Sequence, residues 1–280
     1  MRADVQSETV GGVAVTALVD SEGPFFLPLS EAFPGVATDV LEHAQRLDPD
    51  PRPVPDRWWL AFRVYVVEAD ERLVLVDTGA ASDTALHSSW APEGEHLVDR
   101  LAGELGVEAD RVTDVVLTHL HGDHAAGSID QQGRPAFPRA TYHVQARELE
   151  AVRDAGAAGE QWRHLLEPLT GADQLHSCSG PVELVAGARG ASVRLEPTPG
   201  HTPGHQSVLV SDGREHLWLA GDVFTHALQV VEPTSRYVFD QDADEAVRTR
   251  ISLLESARSL PARFGSAHLH TPFLEAFLEV

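Results

Sequence analysis

The segment Thr118-His-Leu-His-Gly-Asp-His124 puts three imidazoles and one carboxylate within six residues. In an extended loop His119 and His121 point the same way, because side chains alternate with period two. Gly122 then lets the chain turn sharply, so Asp123 and His124 can face a second point nearby. One short loop can therefore supply ligands to two metal ions. A lone histidine in such a loop is ordinarily solvated; four ligand-type residues packed this closely point to metal. Four further segments carry matching groups: His201 in Pro199-Gly-His-Thr-Pro-Gly-His205, Asp222 in Leu219-Ala-Gly-Asp222, His268 in Ser266-Ala-His268, and Asp77 in Leu75-Val-Asp-Thr-Gly79. Imidazole and carboxylate without thiolate suit zinc first, with iron, manganese or cobalt as alternatives. The single cysteine, Cys178, cannot make an internal disulfide or anchor a thiolate cluster, and reads as a loop bystander.

The elements that must position these groups can be read from periodicity and turn chemistry. Asp48 to Asp56 holds four prolines in nine residues and must be extended loop. It sets off an N-terminal extension, residues 1–57, expected to wrap over the site with Phe25, Phe26, Trp58 and Trp59. Residues 58–67 and 73–77 read as a hairpin, and 112–117, 140–144, 182–185, 192–196, 207–210, 216–220 and 263–266 as further strands. Helices are predicted over 95–106, 145–153 and 242–260. Residues 156–175, with Trp162, Leu165, Leu166 and Leu169, read as a helical flap. Strands come first in meanders and then alternate with helices, which favours a layered α/β or α+β class. The candidate ligands fall after successive strands, along one sheet edge.

Composition bounds the partners. The chain has 280 residues, 42% of them hydrophobic, enough to bury a substantial core. Its 43 acidic residues against 21 basic ones give a formal charge of −22, which disfavours nucleic acid. No apolar run is long enough to span a bilayer, so no membrane partner is expected. Met1 to Val10 lacks the apolar stretch of a signal peptide, and a cytoplasmic location is the expectation. The expected partner is a small-molecule substrate; oligomeric state is not legible.

His119, His121, Asp123 and His124 also stand as an HxHxDH motif, with His201, Asp222 and His268 following in order. On these residues the chain, from about Trp58 to its C-terminus, resembles the metallo-β-lactamase superfamily of hydrolases. The resemblance implies one domain over 1–280, an αββα sandwich of two mixed β-sheets flanked by helices, with the metals at one edge. It implies two divalent ions: His119, His121 and His201 would hold one, Asp123, His124 and His268 the other, with Asp222 bridging. Asp77 would orient the site without touching metal, and His270 stands as the rival of His268 for the last position. Water shared by two such ions is acidified and becomes a hydroxide nucleophile. Asp123 and Asp222 are then the catalytic carboxylates, Asp123 accepting a hydrogen bond from the nucleophile and passing a proton to the leaving group.

The branch can be narrowed. Secreted β-lactamases of this fold need export and as a class lack the aspartate at the position of Asp222. Glyoxalase-II-type thioesterases append a helical domain, whereas twelve residues follow His268 here. The tRNA-processing branch conflicts with the acidic composition, and flavodiiron proteins use a carboxylate where His121 stands. The stretches Gly221 to Val230, Gly204-His-Gln-Ser207 and His268-Leu-His-Thr-Pro-Phe273 are similar to the lactonase and esterase group that includes acyl-homoserine lactonases and methyl-parathion-hydrolase-like proteins. The resemblance therefore implies cleavage of a small-molecule lactone or carboxylic ester. The alternatives are a thioesterase or phosphotriesterase of the same fold, or a non-hydrolytic redox or binding protein built on it. Two substrate contacts are expected: His226, four residues past Asp222, and Trp162 on the flap.

Overall fold

The computed structural model describes residues 5–50, 52, 56–80, 96–154, 162–187, 191–258 and 261–275, apart from the side chains of Asp154 and Trp162. Two sheets form the centre. The first runs in sequence order: β1 (Val5–Val10), β2 (Val13–Pro24), β3 (Trp59–Ala69), β4 (Arg72–Val76), β5 (Asp114–Val116), β6 (Thr141–Gln145) and β7 (Leu175–Cys178). The second has β8 (Val182–Ala186), β9 (Ser192–Pro197), β10 (Gln206–Ser211), β11 (His216–Leu219), β12 (Ala262–Gly265) and β13 (Leu274–Glu275), lying in the order β13-β12-β11-β10-β9-β8. Both sheets are mixed: β4 to β7 run parallel, as do β11 and β12, and the remaining pairs are antiparallel. The expected hairpin is β3 and β4, turning through Asp70 at φ +51°.

The sheets meet over Val15, Val67 and Val76 on one side and Val193, Val208 and Leu219 on the other. The outer face of the first sheet, including Leu75, Val115 and Tyr142, is covered by helical residues such as Leu97, Leu101 and Leu169. The outer face of the second packs Trp218 and Phe264 against Leu253 and Ala257 of the helix Ala243–Ala257. This is the expected αββα order. Strand β3 is buried on both faces because it lies inside the first sheet and under the second, which explains its nearly unbroken apolar run.

Two features depart from the reading of the sequence. Residues 5–24 pair as the first two strands of the sheet, and Phe25 and Phe26 directly after them line the cavity over the site. The leucines of the expected flap are core: Leu165, Leu166 and Leu169 are fully buried in the cluster under the first sheet. Once Trp162–Leu166 and Glu167–Gly171 wind as helix, these leucines fall on the face turned to Tyr142 and Val144, and burying them there outweighs leaving them over a polar site. Residues 156–161 and the side chain of Trp162 lie outside the described residues.

Asp20, at the irregularity within β2 between Val19 and Ser21, is buried and accepts a hydrogen bond from Ala80 N at 3.1 Å. Burial pushes its pKa up to about 6, against the lowering pull of Ala80 N–H and Arg100. A carboxylate raised in this way leaves stability intact below its unfolded pKa of about 3.9, and stability falls as pH climbs through the folded value. Asp20→Asn is expected to gain on the order of 1–3 kcal/mol at about pH 8 and little at about pH 4. Urea unfolding at both pH values checks this; an equal effect at both would remove the carboxylate's charge as the cause.

Candidate metal centre

Every candidate ligand sits just past a strand end at one edge of the sandwich. Asp77 follows β4, the His119–His124 segment follows β5, His201 lies between β9 and β10, Asp222 follows β11 and His268 follows β12. The loop after β12 is held from below by β3. Arg63, buried, donates from Nη1 to the carbonyls of Ser266 (3.1 Å) and Leu269 (2.6 Å) and from Nη2 to that of His270 (3.3 Å). Asp48 accepts from the backbone N–H of His270 and Thr271. Gly221, at φ +50°, lets Asp222 come close to the His119 loop; a Cβ there would meet His205 Nε2 at 2.8 Å and Thr118 Cβ at 2.9 Å.

Two groups of ligand atoms result. In the first, His121 Nδ1 lies 2.9 Å from His119 Nε2 and 3.1 Å from His201 Nε2. In the second, Asp123 Oδ2 lies 3.6 Å from His124 Nε2 and 3.5 Å from His268 Nε2. Asp222 stands between them. Its Oδ2 is 3.3 Å from His201 Nε2, while its Oδ1 is 3.2 Å from His124 Nε2 and 3.3 Å from His268 Nε2. His268, not His270, reaches this cluster: the ring of His270 points toward Asp50, 3.9 Å away.

The outer nitrogens of His119, His124, His201 and His268 are taken by the protein, the arrangement that fixes tautomers at metal sites. His124 Nδ1 meets Asp77 Oδ2 at 2.8 Å, His201 Nδ1 meets Asp240 Oδ1 at 3.1 Å, and His268 Nδ1 meets the Ala61 carbonyl at 3.0 Å. His119 Nδ1 lies 3.1 Å from Thr118 Oγ1, whose own proton goes to Asp77. With their outer N–H groups donated, the inner nitrogens carry lone pairs. His119 Nε2 and His201 Nε2 present lone pairs to His121 Nδ1 at 2.9 and 3.1 Å, where a single proton could satisfy only one of them and a cation among the three serves all. His124 Nε2 and Asp222 Oδ1 are both buried and make no hydrogen bond. These residues fit two divalent ions.

The electrostatics agree. Burial, then His124 and His121, hold His119 well below the ordinary histidine value; burial and then His201 push His121 down to about 4. Burial would also lower His124 and His268, but Asp222 and Asp123 outweigh it and raise both, with Asp77 adding to the effect on His124. Burial alone would raise Asp222; His268 and His124 instead hold it well below the carboxylate range. The centre therefore draws positive charge to its carboxylate-rich side and keeps His119 and His121 neutral, as cation ligands must be.

Above the centre opens a cavity of about 310 Å³, walled by Phe25, Phe26, Leu60, Tyr237 and Phe239, with His121, Asp123, His201, Asp222 and His268 at its base. Phe25 and Phe26 reach it as expected. Trp58 does not: it is buried behind Phe25, stacked at 4.5 Å, while the partly exposed Trp59 lies under Arg52. His226 is also elsewhere. It lines a neighbouring cavity of about 160 Å³, with its ring edge to Trp58 and its Nδ1 accepting from Leu228 N. The turn Thr225–Gln229 is closed by Gln229 Oε1, which accepts from Thr225 N and His226 N, and the cavity that His226 lines shares His268 with the main one.

Four residues at the site were missed. His205 accepts the Asp222 backbone N–H at 3.0 Å and is pushed down to about 3, mainly by burial. Glu148, buried, accepts from Leu120 N and Gly204 N and so ties two ligand loops together. Asp240 backs His201, and Tyr237 stacks over the His201 ring at 6.1 Å. His205 stood in view in the His201 loop; Glu148, Tyr237 and Asp240 have no local signal.

Residues 61–263 match the profile of the metallo-beta-lactamase superfamily. The chain belongs to this superfamily. It is 32% identical over 185 residues to a Mycobacterium bovis protein named "Probable metallo-hydrolase", covering 60% of this chain and 58% of that one. It is also 32% identical over 158 residues to an N-acyl homoserine lactonase from a Bacillus species, covering 52% of this chain and 56% of that one. The chain thus spans less than two thirds of these curated relatives. Among solved structures, AidC, a dizinc quorum-quenching lactonase in complex with a product, superposes with a TM-score of 0.73 at 22% identity, over 96% of this chain and 91% of that one. That likeness shows the shared superfamily fold. No helix among the described residues is long and apolar enough to cross a membrane.

Proposed function

We propose that this superfamily member is a dinuclear metal-dependent hydrolase that opens small-molecule lactones or cleaves small carboxylic esters. The observation that carries the reading is the split of Asp222, one oxygen toward His201 and the other toward His124 and His268, under an aromatic-walled cavity. Two divalent ions, zinc first, would supply an acidified water and polarise the substrate carbonyl. His119, His121 and His201 would hold one, Asp123, His124 and His268 the other, and Asp222 both.

The remaining chemistry belongs to the chain. Asp123, at the cavity base, takes the proton of the attacking water and delivers it to the leaving oxygen. Burial, then Asp222, Asp123 and Asp240, keep the Tyr237 hydroxyl protonated far above neutral pH, so it serves as a hydrogen-bond donor to a substrate oxygen. Phe25, Phe26 and Phe239 exclude water and seat an apolar arm of the substrate at about 25 cal/mol per Å² buried. The curated relatives named N-acyl homoserine lactonases support the lactone class. A cytoplasmic location accords with a single cysteine and no disulfide partner for it.

A panel of chromogenic lactones, carboxylic esters, thioesters and phosphotriesters, run on metal-loaded protein, tests the proposal. Lactones or esters are expected to turn over with the highest kcat/KM. Turnover confined to thioesters or phosphotriesters would reassign the substrate class, and none at all would remove the hydrolase reading.

A further inference from the structure

A second cluster of metal-ligand type lies outside this centre, on the last two strands of the first sheet. In the parallel pairing of β6 with β7, His143 lies opposite His176 and Gln145 opposite Cys178. His143, His176 and Cys178 therefore share one face of the sheet. A nitrogen of each histidine and Cys178 Sγ all lie within 4.8 Å of one another. The rings of His143 and His176 are 5.4 Å apart.

His143 is only 6% exposed, and its two nitrogens are treated differently. Nε2 meets Asp114 Oδ1 at 2.9 Å, and Asp114 is itself fixed by Arg72 and Thr113. A carboxylate there holds the proton on Nε2 and leaves a lone pair on Nδ1, the arrangement by which proteins prepare a histidine to bind metal. Nδ1 is buried and has no hydrogen-bond partner among the described residues. A buried acceptor without a donor is a cost to the fold that a bound cation would remove. Cys178 Sγ lies 4.0 Å from the His176 carbonyl, the outer limit for a sulfur hydrogen bond, and otherwise meets the Val144 backbone, so only weak sulfur hydrogen bonds compete with a metal there. His176 is exposed and gives the cluster an open side.

We propose that His143, His176 and Cys178 form a separate site for one zinc-class ion, with water in the fourth position on the His176 side. One thiolate and two imidazoles select soft to borderline ions such as zinc or cobalt over the hard oxygen-seeking cations. As the Cys178 sulfur binds, the thiol proton leaves to solvent. The ion would join edge strand β7 to β6. It is remote in kind from the main centre, which contains no sulfur.

That difference supplies the test. Cys178 is the only cysteine in the chain, so a thiolate-to-cobalt charge-transfer band in the near ultraviolet reports this site alone. Metal-free protein titrated with cobalt(II) should develop that band. Cys178→Ser should abolish it and lower the bound cobalt by one equivalent, while leaving the main centre's metal and hydrolytic rate unchanged. His176→Ala, at an exposed position, and His143→Ala should each weaken the cobalt affinity read from the band at least about tenfold. The proposal fails if no band appears at saturating cobalt, or if the band keeps its affinity in both histidine variants, which would mean binding by an isolated thiolate. Loss of hydrolysis without loss of the band would count against the proposed function and leave this site standing.

Discussion

Replacing Asp222 by alanine is expected to release metal and abolish hydrolysis together. Its two oxygens face different ligand groups at 3.2–3.3 Å, so one substitution removes a ligand from each. It also removes the negative charge that draws His124 and His268 toward their cationic forms. A drop in kcat/KM of at least about a thousandfold is expected, equivalent to roughly 4 kcal/mol of lost transition-state stabilisation. Elemental analysis of the same preparation should show the loss of at least one metal equivalent. Asp222→Asn, which keeps the size and one carbonyl oxygen, should fall between. If Asp222→Ala retains both metals and a near-normal rate, the bridge lies elsewhere.

Asp77→Asn should have the next largest effect, through a residue that touches no candidate metal position. Asp77 Oδ1 accepts from Thr118 N at 2.8 Å, and Oδ2 accepts from Thr118 Oγ1 at 2.9 Å and from His124 Nδ1 at 2.8 Å. Asparagine has a single acceptor oxygen for two fixed N–H donors. If it serves Thr118 N–H, its amide N–H faces His124 Nδ1, and the histidine must turn to the tautomer with the proton on Nε2. That nitrogen then has no lone pair for a cation. Asn tolerates the φ of +60° found at Asp77, so the backbone should not add to the effect. A loss of about 10–100-fold in metal affinity is expected, measured by competition with a chelator. A change of less than about twofold would mean that Asp77 does not set the His124 tautomer.

The candidate ligand set was legible because its signal is local. His119, His121, Asp123 and His124 share one loop, and His201, Asp222 and His268 each follow a strand with its own turn residues. The layered sandwich was legible for a related reason, since β3, β4 and β9 to β12 carry short apolar runs between Gly, Pro and Asp turns. What was not legible depends on distance through space. Glu148 acts at the site because its helix start lies beside Leu120 N and Gly204 N, a contact that no sequence spacing encodes. Asp240 and Tyr237 reach His201 from the segment before the last long helix. His226, four residues past Asp222 in the chain, lines a neighbouring cavity that shares His268 with the main one. The leucines at 165, 166 and 169 have a spacing that suits a core face as well as a flap, and only the covering of Tyr142 and Val144 decides between them. Cys178 reads as inert when it is simply the single cysteine, and it is the pairing of β6 with β7 that places two histidines beside it.

The central claim is that two ions held by these seven side chains make one hydrolytic centre. Metal-free protein, carrying Cys178→Ser so that no thiolate site is counted, is titrated with zinc while hydrolysis of the best lactone or ester from the panel is followed. The account predicts no turnover without metal and a rate that rises to a break at two equivalents per chain and stays level beyond it. A break at one equivalent, or full activity in the metal-free protein, would contradict it.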